Sequence, residues 1–289
     1  MKVLVLGAAG HLGAAIVHEF GSHSDIVAPA HRDLDITDDG AVLAHVTAAA
    51  PDVIVNCAAY NLVDAAEDNP VTALHINAFG VRALARAAAG SGAILVTYSS
   101  DFVFDGRTGR PYGESDRPNP QSVYAASKLL GEWFAADAPR HYVLRVESLF
   151  GRAPDGPERG SAAAILQRLR SGDEVRVFVD RTVSPTHVLD AAAATRAVVE
   201  RRLPFGLYHC VNSGQCTWRE FAEEAARLIG LEPRLVSITA GDVPMRAMRP
   251  KYCALSNEKL AGLGVTMPDW RDALQRAVAD ASVRSVRAS

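Results

Sequence analysis

Near the amino terminus a run of strand character, Lys2 to Leu6, passes directly into Gly7-Ala-Ala-Gly10-His-Leu-Gly13 and then into an alanine-rich stretch of helical character from about Leu12 to Phe20. A strand that hands over to a helix through a glycine turn constrains the fold strongly. The helix must lie back across the sheet, and the next parallel strand can only follow a crossover of a dozen or more residues. The rest of the first half obeys that rule. Asp25 to Ala30 reads as strand, Asp39 to Ala49 as helix and Val53 to Asn56 as strand. Asn69-Pro70 starts a further helix, with Asn as cap and Pro at the first helical position, running to about Ala89. Ala93 to Tyr98 is again strand, Tyr124 to Ala136 helix and Tyr142 to Val146 strand.

Strands alternating with helices at this spacing predict an α/β protein built on a Rossmann-type doubly wound parallel sheet, covered on both faces, with ligands at the carboxyl ends of the strands. At 289 residues the chain is long enough for one large domain and a smaller one. The Gly-, Pro-, Arg- and Asp-rich stretch from Asp105 to Ser122 predicts a long loop forming a lip over the site, and Gly151 to Gly160 predicts the first crossing between domains. Residues 1–150 are therefore assigned to the dinucleotide-binding domain, with 180–212 returning to it. Residues 151–179 and 213–280 are assigned to a C-terminal α/β substrate domain, and 281–289 to a tail. Within the second part, Thr217-Trp-Arg-Glu220 has the form of a capping box and predicts a helix from Trp218 to Ile229 ended by Gly230. The chain beyond about Val278 lacks apolar weight, so fraying is expected there.

Composition excludes several classes of function. A net charge of −3 provides no basic field for nucleic acid. No apolar run is long enough for a membrane span, and Met1-Lys2 leads straight into a strand without a signal-peptide core, so a cytoplasmic protein is expected. Cys57, Cys210, Cys216 and Cys253 show no CxxC pair and no metal-ligand spacing, and read as buried or inert thiols in a reducing compartment.

The glycine turn sits where a dinucleotide needs it. Gly7 permits the tight turn, Gly10 lets backbone approach a pyrophosphate, and Gly13 brings helix close to sheet, while the helix amino end offers amide donors and positive potential. Glycine used only for packing is the competing reading. After the second strand comes His31-Arg32-Asp33-Leu34-Asp35-Ile36, with no acid ahead of Arg32. An acid at that strand end would accept from a ribose 2′-hydroxyl, whereas an arginine suits a 2′-phosphate, so Arg32 favours NADPH, with NADH as the alternative. A solvated surface arginine is the other reading of Arg32. Asp35 and Ile36 are placed to touch the adenine.

Tyr124 and Lys128 lie four residues apart on a predicted helix and share a face. A phenol is a weak acid at neutral pH, and a neighbouring ammonium is expected to lower its pKa. Thr97-Tyr98-Ser99-Ser100-Asp101 closes a central strand. There the Ser100 hydroxyl could polarise a substrate carbonyl, a simple strand cap being the alternative. Together these residues suit reduction of a carbonyl, with Tyr124 as proton donor.

Ser99-Ser100-Asp101-Phe-Val-Phe-Asp105-Gly106 and Asn119-Pro120-Gln-Ser-Val-Tyr124-Ala-Ala-Ser-Lys128-Leu-Leu-Gly131-Glu132 resemble the extended short-chain dehydrogenases, specifically the dTDP-4-dehydrorhamnose reductase group. The likeness extends through Val179-Asp180-Arg181-Thr-Val-Ser184-Pro185-Thr186, Gly206-Leu-Tyr-His209, Thr217-Trp218-Arg-Glu-Phe221, Arg249-Pro250-Lys251 and Trp270-Arg271-Asp272-Ala-Leu274. The resemblance implies reduction of the 4-keto group of a nucleotide-linked 6-deoxysugar by NAD(P)H, with Ser100, Tyr124 and Lys128 as catalytic residues. It further implies cofactor contacts at His11, Leu12, Ala58, Ala59, Tyr60, Asn77 and Ser99, and substrate contacts at Val63, Asp64 and Asp101. Arg249 is implied to hold the nucleotide end, an ordinary ion pair being the alternative. A homodimer is a family expectation.

Departures bear on the substrate. Relatives commonly carry Arg-Thr-x-Trp-x-x-Gly where this chain has Arg145-Val-Glu147-Ser148-Leu-Phe-Gly151, so Glu147 and Ser148 are expected to alter the wall beside the sugar. Arg181 replaces a common glutamine and suits either a phosphate contact or a turn cap. Ala15 stands where some relatives carry a magnesium-binding glutamate, and no metal is expected. Two other functions remain open: a non-catalytic NADP-binding regulatory subunit resembling that of methionine adenosyltransferase, and a nucleotide-sugar epimerase or dehydratase of the same superfamily.

Overall fold

The structure, a computed structural model, describes the backbone of residues 1–288 and the side chains of residues 1–280. In chain order the first half comprises β1 (Lys2–Leu6), α1 (His11–Gly21), β2 (Asp25–Val27), α2 (Asp39–Ala49), β3 (Val53–Asn56), α3 (Val63–Asp68), α4 (Pro70–Leu74), α5 (Gly80–Ser91), β4 (Ile94–Ser100), α6 (Val123–Ala135) and β5 (His141–Val146). The second half comprises β6 (Leu149–Phe150), α7 (Ser161–Ser171), β7 (Val175–Phe178), β8 (Thr182–Val183), β9 (Thr186–His187), α8 (Val188–Glu200), β10 (Gly206–His209), β11 (Cys216–Thr217), α9 (Trp218–Ile229), β12 (Leu235–Ile238), α10 (Glu258–Gly262) and α11 (Trp270–Ala288).

Six strands form one parallel sheet in the order β2-β1-β3-β4-β5-β10. The chain first steps outward to β2, then returns across β1 to β3, so β1 and β3 flank the point where strand order reverses and a crevice opens. Successive residues of a strand face opposite sides, which explains why these strands are almost uniformly apolar. Val3, Val5, Val55, Val96, Tyr98 and Leu144 pack under α1 and α8. Leu4, Leu6, Ile54, Leu95 and Val143 pack under α2 and α5. The Tyr98 hydroxyl pairs with Thr195 Oγ1 at 2.7 Å and ties the central strand to α8.

A second core gathers Leu166 of α7, Val175 and Val177 of β7, Phe221 and Ala225 of α9 and Trp270 and Leu274 of α11. Here β7 and β12 pair in parallel, and β8 pairs antiparallel with β11. Helix α9 starts as its sequence predicts. Thr217 Oγ1 accepts the Glu220 amide at 3.1 Å, Glu220 Oε2 accepts the Thr217 amide at 2.7 Å, and Gly230 closes the helix in left-handed conformation.

Three details differ from expectation. Strand β2 ends at Val27, because the chain turns at Ala30, whose carbonyl accepts the amides of Asp33 and Leu34. The helix expected from Asn69 to Ala89 is interrupted by a π-helical turn at His75–Phe79, the kind of single-turn bulge that re-aims side chains near functional sites. The helical backbone passes through Val278, beyond which fraying is expected. That residue is buried in the second core, and α11 continues to Ala288, although the side chains of the proposed tail 281–289 lie outside the described residues.

Candidate active site

The glycine turn is built for close approach. Gly7 adopts φ 71°, and a Cβ there would lie 2.7 Å from the Ala58 amide nitrogen, while one on Gly13 would lie 2.1 Å from the Gly7 carbonyl oxygen. The turn is closed by the Gly10 amide donating to Gly7, and the helix ladder begins with the Ala14 amide donating to Gly10. The amides of His11, Leu12 and Gly13 remain at the helix amino end, the orphan donors that a pyrophosphate satisfies. The turn therefore fits a dinucleotide on its own geometry. His11 is neutral, since burial lowers its pKa, and its Nε2–H donates to the Gly151 carbonyl.

The groups implied in cofactor binding divide into two kinds. Arg32 has 89% of its side chain exposed and pairs loosely with Asp33 at 3.7 Å. Asp35 folds one carboxylate oxygen onto Thr37, accepting both its amide and its hydroxyl at 2.9 Å. Ile36 belongs to the core and packs against Gly80 at the start of α5. Ala58, Ala59 and Tyr60 leave β3 half-buried. Asn77, on the π-helical turn, is fully engaged by protein: its Oδ1 accepts the Tyr60 amide at 2.8 Å, and its Nδ2 donates to the Tyr60 carbonyl at 3.0 Å and to Ser127 Oγ at 2.9 Å. It holds the Ala58–Tyr60 segment in place rather than offering free groups of its own. Ser99 Oγ is buried and has no protein partner among the described residues, which leaves a hydroxyl available to a bound group.

The candidate acid–base groups meet at the carboxyl end of β4. Ser122 caps α6 by accepting the Ala125 amide at 3.2 Å, and Glu67 on α3 accepts the Val123 amide at 2.8 Å. Tyr124 and Lys128 then face the sheet, both buried, with the Phe102 ring edge-on to Tyr124 at 6.0 Å. Lys128 Nζ donates to the Tyr98 carbonyl at 2.6 Å, and burial brings its pKa down to about 8. Burial, with the Asp101 charge second, pushes the Tyr124 phenol above its ordinary value, and the neighbouring Ser100 hydroxyl opposes that rise. The phenol is not lowered as the sequence suggests: burial dominates, and the Lys128 ammonium donates to the Tyr98 carbonyl. Ser100 Oγ donates to Asp101 Oδ1 at 2.8 Å and accepts the Phe102 amide at 3.2 Å.

The substrate-side residues are arranged less simply. Asp64 and Arg249 form a two-pronged ion pair, with guanidinium–carboxylate distances of 2.9 and 2.8 Å, and the Ala247 amide also donates to Asp64 at 3.0 Å. Hydrogen bonds from Arg249, then Ala247, bring the Asp64 pKa down to about 2. This fastens the 247–249 segment to α3, and Val63 lies beside the pair on the same helix. Between β5 and β6, Ser148 takes the left-handed conformation at φ 44° and turns the chain sharply. Ser148 stays half-exposed, but Glu147 is only 2% exposed and points to the interior, where its Oε2 accepts the Ser184 amide at 2.8 Å. Glu147 is thus not an open wall residue as the sequence suggests.

Some of the strongest interactions nearby were invisible in the motifs. Arg145 is forked onto Glu132 of α6 by two hydrogen bonds of 2.7 Å, stacks over Phe104 at 4.9 Å and donates to His209 Nε2 at 3.3 Å. Nothing local in the sequence pairs residues from α6 and β5. The loop from Asp105 to Ser122 is braced by Asp105, which accepts from the Tyr112 hydroxyl, the Asn119 amide and the Arg107 backbone. Cys210, Cys216 and Cys253 are buried and Cys57 half-buried, all as free thiols. An open groove of about 910 Å³ at the amino ends of the strands, lined by Met1, Asp52, Arg140 and Glu200, borders none of the candidate residues.

Sheet order, glycine turn and the buried Ser–Tyr–Lys set define an α/β dinucleotide-binding protein of the short-chain dehydrogenase/reductase class. Comparison with known proteins narrows this. The family described as the RmlD substrate binding domain matches residues 1–283, and the chain belongs to that family. A dTDP-4-dehydrorhamnose reductase of Sinorhizobium fredii is 32% identical over 96% of this chain and 97% of its own length. Among solved structures, a dTDP-4-dehydrorhamnose reductase from Clostridium acetobutylicum superposes with a TM-score of 0.91 at 34% identity, covering 98% of this chain and 100% of its own. One from Bacillus anthracis, in complex with NADP, gives 0.90 at 31% identity, covering 96% and 99%. Among the described residues no helix is long and apolar enough to cross a membrane.

Proposed function

We propose that this chain is a cytoplasmic NADPH-dependent reductase of the 4-keto group of a nucleotide-linked 6-deoxysugar. The observation that carries the reading is the burial of Ser100, Tyr124 and Lys128 together at the carboxyl end of β4, next to an intact dinucleotide turn. Whole-length similarity to reductases of dTDP-4-dehydrorhamnose supports the substrate class. The NADP-bound relative and the exposed Arg32 support the cofactor.

When bound, the dinucleotide supplies the hydride. The chain's own groups do the rest. The amides of His11, Leu12 and Gly13 would hold the pyrophosphate, and Arg32 would meet the 2′-phosphate. Ser100 turns its hydroxyl hydrogen from Asp101 to the substrate carbonyl oxygen and draws charge toward it. Tyr124 keeps its proton at neutral pH because its site is dry, which is the form reduction requires, and gives that proton to the same oxygen. Lys128, held by the Tyr98 carbonyl, brings positive charge to this end of the sheet as negative charge develops.

The direct test mixes purified protein, NADPH and dTDP-4-dehydrorhamnose with related 4-ketosugars, and follows loss of the reduced-cofactor absorbance. Tyr124→Phe should retain NADPH binding and lose turnover by about 10²- to 10⁴-fold, the range of a positioned proton donor. No oxidation with any sugar would refute the reductase reading, and unchanged turnover in the variant would refute the role of Tyr124.

A further inference from the structure

Behind Ser100 lies a polar cluster that the reduction just described leaves unused. Asp101, Glu147 and Cys253, all buried, bring one ligand atom each within 4.8 Å of one another. Asp101 receives the Ser100 hydroxyl, and Ser100 in turn adjoins the Tyr124 phenol, so a continuous line of polar groups runs from Tyr124 through Ser100 to Asp101 and Glu147. Glu147 Oε2 is committed to the Ser184 amide, but Oε1 is buried without a protein partner among the described residues. An unpaired oxygen in that position costs stability unless it carries or receives a proton.

The groups facing the pair come from several elements. Arg181, stacked over Phe178 at 5.5 Å, contributes positive charge, and its Nε is likewise buried without a protein partner among the described residues. The Cys253 thiol donates to the Pro250 carbonyl at 3.3 Å and lies beside Asp101, while Tyr252 and Cys216 lie at the margin of Glu147. Burial raises the proton affinity of both carboxyls, and the Asp101 charge raises that of Glu147 further, outweighing Arg181. A guanidinium in the same space opposes occupation by a metal cation.

We propose that Asp101 and Glu147 share one proton, and that this acid pair refills Tyr124 through the Ser100 hydroxyl after each turnover. The proposal rests on the reductase reading. In each cycle the phenolic O–H of Tyr124 breaks as its proton goes to the substrate oxygen. The phenolate takes the Ser100 proton, and Ser100 takes the shared proton from Asp101, which leaves two carboxylates beside Arg181. One solvent proton restores the pair when product leaves, so one proton is consumed per ketone reduced. Glu147 acts as a positioning residue: it sets the proton affinity of Asp101 without touching substrate.

The test uses Glu147→Gln, which keeps the volume and an acceptor for the Ser184 amide, and Asp101→Asn, which keeps an acceptor for Ser100. Infrared difference spectra of the full chain without substrate should show the carbonyl stretch of a protonated carboxylic acid persisting above the ordinary carboxylate range, and both variants should remove it or move it to lower pH. With NADPH and dTDP-4-dehydrorhamnose, Glu147→Gln should keep a first-turnover burst, because Tyr124 starts protonated. Its steady-state rate should fall about a hundredfold, with the basic limb of the pH profile moved to lower pH. A folded Glu147→Gln protein with the parental steady-state rate and pH profile, or the absence of the infrared band from the parent, would overturn the proposal. A band that both variants abolish, with no sugar reduced, supports the acid pair and counts against the reductase reading.

Discussion

Removing the charge of Glu132 tests the interior of the molecule most sharply. Its side chain is 8% exposed and that of Arg145 2%, and the two meet as a fork with both hydrogen bonds at 2.7 Å. In Glu132→Gln the amide oxygen can still accept one of these N–H groups, but the amide NH₂ faces the other donor. The guanidinium then stays buried among Phe104 and His209 without a counter-charge. Breaking one side of a buried pair costs about 3–5 kcal/mol. In a protein of this size each kcal/mol moves the melting temperature by about 2 °C, the low end of the range for larger domains, so a fall of about 6–10 °C is expected by calorimetry. Replacing both partners, Glu132→Gln with Arg145→Met, should recover much of the loss, because no buried charge is then left unpaired. The Glu132 charge also holds up the Lys128 pKa against burial. The single variant should therefore lose its protonated Lys128 at lower pH and show a basic limb below about 8. A melting temperature within about 2 °C of the parent, or a double variant less stable than the single one, would refute this account.

Two further expectations follow from charge and burial. Arg32→Ala should weaken NADPH relative to NADH by about 10- to 100-fold, the worth of a charge-assisted hydrogen bond of about 1.5–3 kcal/mol; an unchanged ratio of KM values would show that another group reads the 2′-phosphate. His209 is held down from 6.5 to about 3 by burial first and the Arg145 charge second, so between these values the unfolded chain binds the extra proton and folding stability falls as pH falls. His209→Gln should lose about 2 kcal/mol less than the parent between pH 6.5 and 4.5, measured from urea midpoints, and equal losses would refute the assignment.

What the sequence disclosed and what it withheld divide along a physical line. Gly13 against Gly7 and Thr217 with Glu220 meet within a turn or two, and local spacing reveals such contacts; it also puts Tyr124 and Lys128 on one helix face, although their partners Phe102 and Tyr98 come from another segment. The alternation of strand and helix disclosed the parallel sheet for the same reason. Asn77 shows the limit. Its helix was legible, but the π-helical turn that aims its amide at Tyr60 depends on packing against α6. Glu147 shows it again: the residue is conspicuous as a departure from relatives, yet its inward direction follows from the left-handed turn at Ser148, which no local pattern signals. The Arg145–Glu132 and Arg249–Asp64 pairs join segments 13 and 185 residues apart, and the partner of a charge at such distance is decided by topology.

The return of α8 and β10 to the first sheet has a consequence during synthesis. Strand β10 covers the open edge of β5, and α8 lies against α1, with Arg196 bonded to Glu19 across 177 residues of chain. Until residue 209 has left the ribosome, one face of the sheet lacks the α8 part of its cover and its outer edge is unpaired. A chain released or stalled before that point would present Val96, Tyr98 and Leu144 to its surroundings, an aggregation-prone surface of the kind that recruits chaperones. Folding of this protein is thus gated by the arrival of its second half, even though the glycine turn and the Ser–Tyr–Lys set were all translated well before.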